Sequence, residues 1–80
     1  MPYTVIIHPL GEEPIVGEIE NVPTVKDTMV VVTNPRRLDG KELHYLADNV
    51  ITVIWPFSRI NFIELMPSKE EEDIIGFVRE

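Results

Sequence analysis

Residues 15–20 alternate Ile15, Gly17 and Ile19 on one side with Val16, Glu18 and Glu20 on the other, the period of two that marks a half-buried strand. The middle residue of the inward row is a glycine. A strand with no side chain at the centre of its buried face is placed to bend or bulge there, and such a bend lets one small sheet curl on itself. In a chain of 80 residues this decides the fold class, because so short a chain supports one domain and one core.

The remaining segments fit that curl. Residues 3–8 read as a first strand, closed by Pro9-Leu-Gly-Glu-Glu-Pro14, whose prolines and glycine cannot continue a ladder. Residues 15–20 form the second strand and residues 21–27 a loop. Residues 28–34 are mostly β-branched and form a third strand, followed by a hairpin turn over 35–41 in which Asp39-Gly40 is the strongest local turn signal. A fourth strand is expected from Glu42 to Trp55, broken or bulged near Asp48-Asn49, then a short corner at Pro56-Phe57-Ser58 and a fifth strand over 59–66. In the tail, Ser68 stands three residues before Glu71 in a capping box, and Ile74, Ile75 and Val78 share one stripe with Phe77 beside it. The expected fold is mainly β: a small, five-stranded, strongly bent antiparallel barrel over residues 1–66, with a C-terminal α-helix over 67–80 packed on or extending from it.

Composition narrows the function. There is no cysteine, which removes disulfides and thiolate zinc sites, and His8 and His44 lack a second ligand at strand or helix spacing, so no metal and no cofactor are expected. Neither serine has a histidine near it in sequence and the glycines form no phosphate loop, so no catalytic residue is assigned and the chain is read as a non-enzyme. The apolar runs at 29–32 and 50–54 are too short to span a bilayer and no secretion signal is visible, which gives a soluble, cytoplasmic expectation, or the host cytoplasm for a phage protein. A formal charge of −7 repels phosphate backbones at long range.

One mismatch points outward. Residues 30–32 and 50–54, with Ile60, Phe62 and Ile63, place apolar side chains on both faces of strands, whereas a small barrel has one inside. The tail helix can cover part of the outer face, and a neighbouring subunit paired strand to strand would cover the rest and retire the open edges, so a homo-oligomer is expected.

With that element order, the chain resembles the Sm-like (LSm and Hfq-type) proteins over about residues 3–66, in the manner of divergent phage or environmental members. Gly17 in Val16-Gly-Glu-Ile19 matches the bend glycine of their second strand, Asp27-Thr-Met-Val-Val-Val32 the start of their third, and Ser58-Arg-Ile-Asn-Phe-Ile-Glu-Leu65 their second motif, with Arg59 in the arginine place. Ile60 stands where the family has glycine, the loop before the third strand lacks a base-stacking aromatic, and the family's N-terminal helix is absent. The resemblance implies rings of five to seven subunits closed through the fourth and fifth strands, with single-stranded RNA at the pore. It makes Arg59 the first candidate contact, with Asn21, Asp27 and Asn61 after it.

Each candidate has a plainer role. Arg59 could pin its corner by an ion pair with Glu64 or Asp48. Arg36, Arg37 and Lys41 form the one basic cluster, able to grip phosphate from a hairpin tip or simply to be solvated there. Two functions follow: a ring-forming Sm-like protein that binds single-stranded RNA, or a structural or adaptor oligomer that uses the barrel for protein contacts alone. A monomeric SH3-like module is the third.

Overall fold

A computed structural model describes residues 2–67. Five strands, β1 (Tyr3–Pro9), β2 (Ile15–Ile19), β3 (Met29–Arg37), β4 (Thr52–Pro56) and β5 (Ile60–Leu65), make one antiparallel sheet in the order β4-β3-β2-β1-β5. A single 3-10 turn, Phe57–Arg59, joins β4 to β5. The sheet curls into a half-barrel whose two edges, β4 and β5, are consecutive in the chain. The expected C-terminal helix lies outside the described residues.

The core follows the alternation in the sequence. Val5 and Ile7 from β1, Ile15 and Ile19 from β2, and Val30 and Val32 from β3 are buried on the concave face, and Trp55, Phe57, Ile60 and Ile63 pack against them half-buried. Their polar neighbours point outward, so the period of two survives in the structure as one dry face.

Gly17 is where the curl is made. The β2–β3 register runs Ile15↔Arg37 and Val16↔Arg36, then slips so that Glu18 faces Thr33, leaving Asn34 and Pro35 opposite the glycine as a bulge. A Cβ on Gly17 would lie 2.4 Å from Val32 Cγ1 and 3.2 Å from the Thr33 carbonyl oxygen. Close approach of β3, not an unusual backbone angle, is therefore what demands glycine. Asn34 takes the left-handed conformation, φ 53°, that carries β3 through the bulge.

Two expected boundaries are corrected. β3 runs past residue 34 to Arg37, because beyond the bulge it keeps β2 as its partner. The fourth strand does not begin at Glu42. Its ladder with β3 starts at Thr33↔Thr52, and one further bond joins the Asn34 N–H to the Ile51 carbonyl at 2.6 Å, at the point where β3 enters its bulge at Asn34 and Pro35. Residues 38–51 instead form a run of turns, with Leu46 N–H bonded to Leu43 O, Val50 N–H to Ala47 O, and Asn49 at φ 68°. Leu43 is the one residue of that stretch buried in the core. The Asp39-Gly40 turn stands as expected, with the Gly40 N–H on Arg37 O and the Arg37 N–H on Lys41 O, both at 2.9 Å.

Candidate functional site

The sheet ends in two strands that each use one side only. β4 pairs with β3 and β5 with β1, and each presents a row of backbone N–H and C=O groups on its free side. Apolar side chains stand exposed on both, Ile54 on β4 at 60% and Phe62 and Leu65 on β5 at 55% and 49%, beside the polar Thr52 on β4 and Asn61 and Glu64 on β5. Met29 and Val31 on the outer face of β3 continue the apolar surface beside Ile54, since Val31 sits opposite Ile54 in the ladder. Natural edges are usually guarded by lysine, by a proline or by a cover. Here the guard is a proline at the end of β4, Pro56, and nothing charged stands between Thr52 and Trp55.

The turn between the two edges holds the first candidate residue. Phe57 N–H bonds the Thr28 carbonyl at 3.0 Å and Leu10 N–H bonds the Arg59 carbonyl at 2.8 Å, so the corner is tied to the start of β3 and to the end of β1. The Arg59 side chain is exposed and forms no ion pair among the described residues. Neither expected partner is used. Glu64 lies instead against His8, Oε1 to Nε2 at 2.8 Å, and Asp48 sits in the loop 38–51 without an ion pair among the described residues. Asn61, two residues on, is exposed at the bulge where β5 slips against His8 and Pro9.

The other candidates fall in different places. Asn21 and Asp27 line one shallow groove of about 250 Å³ with Met29 and Val31, but the Asp27 carboxylate is engaged in its own turn, accepting the Thr24 N–H at 2.8 Å. At the far end of β3, Arg36 makes a two-pronged pair with Glu18, Nη1 to Oε1 at 3.1 Å and Nη2 to Oε2 at 3.0 Å, with both side chains part-buried. Arg37 pairs with Asp39 at 3.2 Å, and the Lys41 backbone N–H is bonded to Asp39 Oδ1. Two of the three cations in the basic cluster are thus neutralised locally, which leaves little net charge there for a phosphate.

Sequence reasoning missed one constellation. His8 stacks on Phe62 with ring centroids 4.0 Å apart and planes 21° from parallel, and its Nε2 meets Glu64, so β1 and β5 are clasped on their outer face by three side chains. The register puts His8 opposite Phe62 across more than fifty residues of sequence, and no local signal reports it. On the loop side, Tyr45 sits beside Glu12 in a pocket with His44 and Arg37; partial burial first, and the nearby Glu12 carboxylate second, hold its hydroxyl above the usual tyrosine range.

Among the described residues no group of three or more His, Cys, Asp or Glu is placed to hold a metal ion, and no helix is long and apolar enough to cross a membrane. Comparison with known proteins gives no matching family model, no matching curated protein and no matching solved structure.

Proposed function

We propose that this chain is a structural or adaptor subunit that assembles with copies of itself through its two free sheet edges, as a ring of the Sm-like kind. The observation that carries the reading is the pair of free edges, β4 and β5, each with exposed apolar side chains, on either side of one three-residue turn. An edge of one subunit paired with the other edge of the next is a head-to-tail contact, and head-to-tail contacts close into rings when the rotation allows. Such pairing would supply the missing backbone partners and cover Ile54, Phe62 and Leu65 together. The work of the oligomer, in this reading, is protein contact, which suits an acidic chain whose Arg36 and Arg37 already have carboxylate partners.

A lysine in place of Ile54 tests it. Because Ile54 is exposed in the single chain, Ile54→Lys leaves the fold intact while placing a charge at the contact. The expected result by sedimentation is a lower mass for the variant; an unchanged mass removes the β4 edge from the account.

One observation favours a second reading, single-stranded RNA at the corner: Arg59 is exposed without a carboxylate partner among the described residues, next to exposed Asn61 and Phe62. Stacking on Phe62 and a contact from Arg59 would be the mode of recognition. Fluorescence anisotropy with a short U-rich RNA at low salt separates the two. Binding that weakens in Arg59→Ala supports RNA; no binding in the assembled protein supports the adaptor.

A further inference from the structure

The half-barrel leaves one side of its core open. Between β5 and the loop 20–28 runs a groove of about 390 Å³ walled by Ile19, Val22, Phe57, Ile60, Ile63 and Leu65, with no charged residue in its lining. Ile60 and Ile63 pack against the core and are still half-buried, so this open groove borders the core directly.

The chain leaves the described fold at one end of this groove. The Met66 N–H bonds the Thr4 carbonyl at 2.9 Å, which fixes the exit point next to Leu65. Residues 68–80 begin there, and their sequence predicts one apolar stripe, Ile74, Ile75 and Val78 with Phe77, on an otherwise acidic segment. Lengths agree: thirteen residues at the helical rise cover about 20 Å, and the six residues of β5 span about 20 Å. A segment lying along β5 from Leu65 toward Ile60 brings its far end, with Arg79 and Glu80, to the corner that holds Arg59.

We propose that residues 68–80 fold back on their own chain and lay this apolar stripe into the groove between β5 and the loop 20–28, completing the core. The contact is intramolecular and does not depend on assembly. It leaves Glu72 and Asp73, which fall on the helix side away from the stripe, in water.

The absence of cysteine makes the test direct. A nitroxide attached at Glu80→Cys in the full-length, methyl-labelled chain, diluted in excess unlabelled protein, reports where the end of the tail lies within its own molecule. The expected result is several-fold broadening of the Val22, Ile60 and Ile63 methyl signals, with Ile6 and Val16 on the outer face unaffected. Phe77→Asp in the tagged chain should abolish the contrast while the core methyl dispersion is retained; Ile75→Gln serves where that variant does not fold. Even broadening of both faces, broadening at Met29 and Ile54 instead, or a contrast seen only between different molecules would each overturn the proposal.

Discussion

Gly17→Ala is the sharpest perturbation of this fold. The new methyl would sit 2.4 Å from Val32 Cγ1 and 3.2 Å from the Thr33 carbonyl, and neither neighbour has room to withdraw, since Val32 is fully buried and Thr33 is held in two ladders. Overpacking of this kind costs about 1–3 kcal/mol. Replacing glycine returns roughly 0.4–1 kcal/mol by narrowing the unfolded ensemble. The difference leaves a net loss of about 1–2 kcal/mol, which for a domain of this size lowers Tm by roughly 10 °C. Val32→Ala alone should cost about 2–3 kcal/mol, from two lost methyl groups and the cavity they leave. Because Val32→Ala removes the atom the new methyl strikes, the double variant should be more stable than the sum of the two losses by about 1 kcal/mol. Urea unfolding of the four proteins measures this coupling. A Gly17→Ala variant as stable as the parent, or strict additivity with Val32→Ala, would refute the argument that close packing of β3 over Gly17 makes the bend.

Three further outcomes are expected. The two-pronged Arg36–Glu18 pair, at 29% and 24% side-chain exposure, should show a coupling of about 1 kcal/mol in a double-mutant cycle to alanine, and Arg36→Lys should not preserve it because it loses the fork. Leu43→Ala should destabilise by about 2–3 kcal/mol and raise amide exchange across residues 38–51 ahead of the sheet, since Leu43 is that loop's buried anchor. Tyr45 should ionise above its ordinary value of 10.0, as followed by ultraviolet titration, and Glu12→Gln should bring it part of the way back. For Tyr45 the folded state keeps its proton after the unfolded state has begun to lose it; its contribution is therefore complete below pH 10 and is lost as pH climbs through the raised value.

The sheet was legible where its signals are local. Alternation in residues 15–19 marks β2 and its buried face, Gly17 marks the bend, and Asp39-Gly40 marks a turn, because each depends on residues within a few positions of one another. What depends on a distant strand was not. The ladder that begins β4 stops where its neighbour β3 bulges at Asn34 and Pro35, so the apolar and polar residues of 42–50 could not reveal that they form turns. The clasp of His8, Phe62 and Glu64 exists only because β1 and β5 meet in one register, and the neutralisation of Arg36 only because Glu18 is brought across the bulge. Among the candidate contacts, chain proximity kept Arg59 and Asn61 together at one corner. Asn21 and Asp27, chosen for a distant pattern, line a separate groove, where Asp27 is committed to its own turn.

The central claim is that two free edges make this chain a subunit, and light scattering of the purified protein across a dilution series tests it most directly. The account predicts a stable mass of about five to seven chains that persists on dilution. A concentration-independent single-chain mass would contradict it and leave the free edges of β4 and β5 without the partner on which the proposed function rests.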